Sequence, residues 1–226
     1  MKPLFDGRHF AAFLFDMDGT LLSSIEAAER VWTKWAAKFG IDAATFLHDI
    51  HGRRSVDSVK RLNIPDIDAA AEAAEITRAE IEDVAGVHPI PGVAQFVASL
   101  PQGRWAIVTS APRALAVRRL QAIDLQPPPV FITAEDIPNG KPAPDCYQLA
   151  AGKLGFAVED CLVFEDAAAG IRAGEAAGAS IVVITSTHQQ EMNTRHLTST
   201  DYTALRAIAA PDGRIGIGRM AAAAAD

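Results

Sequence analysis

Phe10-Ala11-Ala12-Phe13-Leu14-Phe15-Asp16-Met17-Asp18-Gly19-Thr20 is the stretch on which the fold of this 226-residue chain turns. An apolar run leads into two carboxylates and a turn. The run is too short to cross a bilayer and is bounded by a turn signal, so it reads as a buried strand. Side chains two apart on a strand share a face, which places Asp16 and Asp18 close together at the carboxyl end. Two carboxylates about 4 Å apart repel by ~4 kcal/mol at an effective dielectric of about 20. Either a cation sits between them or one stays protonated. A strand ending in a plain Asp-x-Asp-Gly turn satisfies the same residues, and the motif alone leaves both readings open.

Further apolar runs ending in polar groups follow: Trp105-Ala106-Ile107-Val108, Val130-Phe131-Ile132, Cys161-Leu162-Val163-Phe164 and Ile181-Val182-Val183-Ile184. Helical stretches separate them at Val93 to Leu100, Arg113 to Ile123, Pro144 to Leu154 and Ala167 to Ala177. Wholly apolar strands alternating with helices describe an α/β fold, a doubly wound parallel sheet covered on both faces. Ligands of such sheets bind outside the carboxyl ends of the strands, where Asp16 and Asp18 lie.

One interval interrupts the alternation. From Ser23 to about Val87 no convincing strand appears. Ser23 and Glu26 fit a capping box, and Ile25, Ala28, Trp32, Trp35 and Phe39 recur at helical spacing up to Gly40. Shorter helices are expected from Asp42 to about His51 and from Ser55 to Leu62, with a longer one from Asp66 to Ala85. The division expected is a core of residues 1–22 and 89–219, an inserted all-α module of 23–88, and an Ala-rich tail of 220–226. A module hinged over the carboxyl ends of a sheet is placed to act as a lid.

Three later segments add chemistry to that sheet edge. Thr109-Ser110 brings a hydroxyl and free amides to an anion ahead of Ala111-Pro112. In Gly140-Lys141-Pro142-Ala143-Pro144-Asp145 the prolines fix a rigid loop that carries Lys141. Glu165-Asp166 ends another strand, and the small residues Ala167-Ala168-Ala169-Gly170 after it permit close helix packing. Oxygen-only ligands of high charge select a hard cation, Mg²⁺ foremost. The amides, Lys141 and a metal together suit a phosphate, while the lack of a Gly-rich Walker loop disfavours nucleoside triphosphates.

Composition narrows the alternatives. Net charge is −7 with both signs interspersed, which argues against a nucleic-acid binder. No stretch reaches transmembrane length and no signal-peptide pattern opens the chain, so no membrane partner and a cytoplasmic location are expected. Cys146 and Cys161 are too few and too far apart for a disulfide framework or zinc site, and read as reduced, half-buried thiols. His48 and His51 lack a third ligand for zinc. Arg118-Arg119 reads as a solvated helix face, Asp57 as first-turn charge, and Trp32, Trp35 and Phe39 as core of the insert. Thr185-Ser186-Thr187-His188 follows the fifth strand, a position open to lining the pocket although no residue there compels it.

The ordered set Asp16-x-Asp18-Gly19-Thr20, Thr109, Lys141 and Glu165-Asp166 resembles the haloacid dehalogenase (HAD) superfamily over nearly the whole chain. The insert resembles that superfamily's C1 cap on a Rossmann-like core. Ile50-His51-Gly52-Arg53-Arg54-Ser55-Val56-Asp57-Ser58 and Ile107-Val108-Thr109-Ser110 resemble its sugar-phosphate phosphatases, among them 2-deoxyglucose-6-phosphate and glycerol-3-phosphate phosphatases. The resemblance implies Asp16 as nucleophile, Asp18 as general acid and base, and Thr109, Ser110 and Lys141 around the phosphoryl group. It implies Mg²⁺ held by Asp16, the Asp18 carbonyl and Asp166, with Glu165 in support. His51, Gly52, Arg53 and Arg54 of the insert are candidates for a small phosphorylated sugar or polyol, equally readable as a solvated turn. A monomer or a dimer is compatible with these residues.

Asp18 favours phosphate chemistry, because dehalogenases of the superfamily need no acid for a halide and usually lack it. Sugar phosphomutases are the rival within the superfamily, and their cap arginine falls where Ser55 stands here. A non-catalytic binding protein would be expected to have lost one of Asp16, Asp18, Lys141 or Asp166, and all are present. One departure is Thr20-Leu21-Leu22-Ser23-Ser24, where the superfamily usually continues Thr-Leu-x-Asp-Ser; Ser23 is expected to cap the next helix instead.

Overall fold

A computed structural model describes residues 1–190 and 192–220. The Ala-rich tail beyond Met220 lies outside the described residues. Strands are β1 (Lys2–Pro3), β2 (His9–Phe10), β3 (Ala12–Phe15), β4 (Leu22–Ser23), β5 (His88–Pro89), β6 (Trp105–Val108), β7 (Phe131–Ile132), β8 (Cys161–Glu165), β9 (Ser180–Ile184), β10 (Leu197–Ser199), β11 (Leu205–Ala209) and β12 (Ile215–Arg219). Helices are α1 (Ile25–Ala37), α2 (Leu47–Ile50), α3 (Ser55–Arg61), α4 (Ala69–Glu82), α5 (Val93–Ala98), α6 (Arg113–Ala122), α7 (Asp145–Leu154) and α8 (Ala168–Ala177).

The central sheet has the order β10-β9-β8-β3-β6-β7, parallel throughout. Alternation along β3 divides two cores. Phe13 and Phe15 face one that takes Phe96 of α5 and Leu120 of α6, whereas Ala12 and Leu14 face another that takes Tyr147 of α7 and Ile171 of α8. The fold is therefore an α/β doubly wound parallel sheet, and β3 is buried along its length. Its neighbours are β8 and β6, with Phe15 opposite Phe164 and Ile107. Three carboxyl ends thus meet side by side, and the residues following them share one edge.

The run from Phe10 to Phe15 is not one strand. It breaks at Ala11, whose N–H donates to the Asp160 carbonyl. Phe10 belongs instead to a small antiparallel sheet in which β12 pairs with β1, β2 and β11. Both cysteines are free and fully buried rather than half-buried.

Between β4 and β5 the helices α1 to α4 surround their own apolar centre of Trp32, Trp35, Phe46, Val59 and Ile76. The two connections to the sheet run together as a short ribbon, Leu22 opposite Pro89 and Ser23 opposite His88. Ser23 consequently does not cap α1. Ser24 occupies the N-cap position without a capping bond, because its hydroxyl is turned to Asp18, to which it donates at 2.6 Å.

Candidate active site

Asp16 follows β3, its N–H donating to the Phe164 carbonyl of β8 at 3.0 Å. Lys141 arrives from the loop before α7 and is buried. Its Nζ donates to Asp16 Oδ1 at 2.5 Å, Glu165 Oε1 at 2.7 Å and the Val108 carbonyl at 3.2 Å. Burial opposes its charge, but Asp16 and Glu165 outweigh burial and hold the ammonium well above its ordinary pKa.

Glu165 is saturated. Oε1 accepts from Lys141 and from the Tyr147 hydroxyl at 2.9 Å, and Oε2 accepts from the N–H groups of Asp166 and Ala167 at 2.9 and 3.0 Å. Room for this carboxylate comes from Gly170 one turn into α8, where a Cβ would fall 1.5 Å from Glu165 Oε1. Gly19, in the left-handed region at φ +88°, does the same for Asp166, whose Oδ2 would lie 2.0 Å from a Cβ there.

One oxygen from each of Asp16, Glu165 and Asp166 lies within 4.8 Å of those of the other two. Against three carboxylates stands one ammonium, so full ionisation of all three would leave two negative charges uncompensated in a buried site. Burial and this crowding push Asp16 up to about 8 despite Lys141, and push Asp166 well above the carboxylate range. Asp16 Oδ2 is buried with no hydrogen-bond partner among the described residues. An orphaned buried oxygen beside a two-charge deficit fits a divalent cation. Glu165, with all its acceptor positions used, is the least available of the three as a direct ligand.

Thr109 and Ser110 follow β6. The Thr109 hydroxyl accepts from the Ala111 N–H at 3.1 Å, and the Ser110 hydroxyl donates to the Gly52 carbonyl of the insert at 3.0 Å. Gly52 (φ +74°) lies so close to the core that a Cβ would meet Ala167 Cβ at 2.6 Å. Arg54 donates to Asp57 at 2.7 Å and to the Pro138 carbonyl at 3.2 Å, which directs it to the rim of the Lys141 loop. Burial lowers the pKa of His51 and favours neutral imidazole. The insert is therefore seated on the sheet edge.

Two cavities meet there. One of about 60 Å³ is lined by Asp16, Asp18, Thr109, Ser110 and Arg53. The other, about 640 Å³, is lined by Asp18, Glu29, His48, Asp166, His188 and Gln189 among others. Asp18, His51 and Arg53 border both. His188 also reaches the Asp166 carbonyl at 2.9 Å.

Arg119 corrects the expected solvated face. Only 5% exposed, it donates to Asp18 Oδ1 at 2.8 Å and to Glu80 Oε1 of α4 at 3.1 Å. A helical projection carries the signal: Arg119 falls on the stripe of Leu115, Ala116 and Leu120, which are buried. Arg118, one step round, lies off that stripe.

The acidic cluster and the buried lysine stand together at the carboxyl edge of a doubly wound sheet, where such folds bind their ligands. The chain belongs to the haloacid dehalogenase-like hydrolase family, whose sequence profile matches residues 10–178. Hexitol phosphatase A of Escherichia coli (strain K12) is 38% identical over 176 residues, covering 76% of this chain and 82% of that protein. Glycerol-1-phosphate phosphohydrolase 1 of Saccharomyces cerevisiae (strain ATCC 204508 / S288c) is 36% identical over 189 residues, covering 78% and 75%. In fold, the chain is similar to a crystal structure of a hydrolase from Pseudomonas syringae, with TM-score 0.74 and 23% identity over 85% of this chain and 95% of that one.

Proposed function

We propose that this protein is a Mg²⁺-dependent phosphomonoesterase acting on small sugar or polyol phosphates through an aspartyl-phosphate on Asp16. The observation that carries this reading is the position of Asp18 on the boundary of the two cavities. A phosphoryl group beside Asp16 and Thr109 and a polyhydroxylated remainder in the larger space put the bridging ester oxygen at that boundary. The phosphatase names of the relatives agree with it.

Asp16 Oδ2, the oxygen without a hydrogen bond, forms a bond to phosphorus while the bond to the ester oxygen breaks. Asp18 gives its proton to the departing alkoxide. Water then attacks the acyl phosphate, its proton passes to Asp18, and cleavage of the Asp16–phosphorus bond frees inorganic phosphate, leaving Asp16 again a carboxylate and Asp18 again a carboxylic acid. Lys141 holds Asp16 Oδ1 and offsets charge on the phosphoryl group, and the Ser110 amide and Thr109 hydroxyl orient its oxygens. Asp16, Asp166 and the Asp18 carbonyl would hold the metal, which when bound supplies charge compensation for nucleophile and phosphoryl oxygens. Glu165 serves as the hub that fixes Lys141.

His51 and Arg53 are the insert's contacts to substrate, while Arg54 and Gly52 seat the insert. The site lies in a cytoplasmic enzyme with no nucleic-acid or membrane partner. A phosphate-release screen of hexitol, glycerol and 2-deoxyglucose phosphates with Mg²⁺ tests the proposal. Release from at least one, abolished by Asp16→Asn, is expected. Isomerised phosphosugar in place of free phosphate would turn the assignment to a mutase.

A further inference from the structure

We propose that Arg119 is a positioning residue that couples the seating of the helical insert to the orientation of Asp18; the inference rests on the acid–base role of Asp18 above. One guanidinium spans two carboxylates from different parts of the molecule. Nη1 donates to Asp18 Oδ1 at 2.8 Å at the sheet edge, and Nη2 donates to Glu80 Oε1 at 3.1 Å on α4 of the insert. Glu80 and Arg119 are 4% and 5% exposed, so neither charge has water to fall back on. Ser24, at the junction between sheet and insert, donates to the same Asp18 Oδ1 at 2.6 Å. With Oδ1 fixed by two donors, the Asp18 carboxylate has one orientation, and Oδ2 is the oxygen left to exchange a proton.

The planar guanidinium makes the link rigid, since its N–H groups point in fixed directions. Displacement of α4 from α6 must either strand Glu80 or drag Arg119 with it, and with Arg119 the carboxylate it holds. Asp16 and Asp166 take no hydrogen bond from Arg119, whose ion pairs are with Asp18 and Glu80 at the wall of the smaller cavity, so the link acts on the site through the Asp18 side chain. It adds a condition to turnover: the donor is aligned when the insert is seated.

The test compares kcat/KM for two substrates, a hexitol 6-phosphate whose alkoxide needs a proton and p-nitrophenyl phosphate whose leaving group does not. Arg119→Leu is expected to lower kcat/KM on the hexitol phosphate about 100-fold, within the range of general-acid catalysis, and on the aryl ester at least tenfold less. In an Asp18→Asn background the same substitution should cost less than about twofold further, as expected when two residues act as one unit. Glu80→Gln, which keeps the shape and loses the charge, should show the same substrate bias at about tenfold, and it carries the test if Arg119→Leu is not recovered folded. Equal losses on both substrates, or none on either, overturn the role of Arg119. An Asp18→Asn variant fully active on the hexitol phosphate would instead remove the acid–base reading, and the Arg119 role with it.

Discussion

The sheet edge and the rim of the insert above it are built to different tolerances. At the edge, Lys141 has three partners and Glu165 four donors, and Asp16, Lys141, Glu165 and Asp166 are all buried. On the rim, His51, Gly52, Arg53 and Arg54 are half-buried and anchored through the Ser110–Gly52 bond and the reach of Arg54 to Pro138. The edge is fixed before any ligand arrives, as positioning catalysis requires. The rim has freedom to adapt, as discrimination among similar polyols requires. Substitutions should therefore separate by kinetic parameter: kcat for the edge, KM for the rim.

The largest effect should come from Asp16→Asn, with kcat on the best substrate falling by roughly 10⁴-fold or more, the scale for loss of a covalent nucleophile. A rim variant that lowered kcat as far would erase the distinction. Removing Mg²⁺ with EDTA should cost about 10³-fold in steady-state turnover and be reversed by Mg²⁺. Independently of activity, a concentration of Mg²⁺ near 100 times its Kd should stabilise the fold by about 2.7 kcal/mol, and thermal melts should lose that increment in Asp166→Asn. Gly170→Ala should cost about 3 kcal/mol, a fall in Tm of about 10 °C, because the methyl displaces the carboxylate that holds Lys141. Unchanged stability there would mean that the edge yields more easily than its contacts indicate. The smallest effect is expected for Arg53→Ala, a roughly tenfold rise in KM for the sugar phosphate with kcat within about twofold.

Much of the edge was legible in the residues themselves. Asp16, Thr109 and Glu165 each end or follow an apolar run, and a parallel sheet can only bring such positions together, whereas Lys141 was legible as the lysine of a proline-fixed loop ahead of a helix. Gly170 was legible as a small residue, although its specific use as the space for Glu165 requires coordinates. Arg119 was misread because adjacent arginines look solvated, whereas the helical period separates them: Arg119 shares the Leu115 and Leu120 side and Arg118 does not. Ser23 was misread for a different reason. Capping patterns describe an isolated helix start, and here the ribbon opposite His88 claims Ser23 while Asp18 claims the hydroxyl of Ser24. The small antiparallel sheet passed unnoticed although Pro211-Asp212-Gly213 between two alternating segments is a hairpin signal. Its other strands, β1 and β2, have two residues each, too few to show a period.

That same sheet sets a timetable for biosynthesis. His9 and Phe10 pair with Gly216 and Ile215, partners that leave the ribosome about two hundred residues later. Contacts between residues so distant in sequence cannot form until both have been synthesised, so the antiparallel layer joins the fold later than contacts made within the insert.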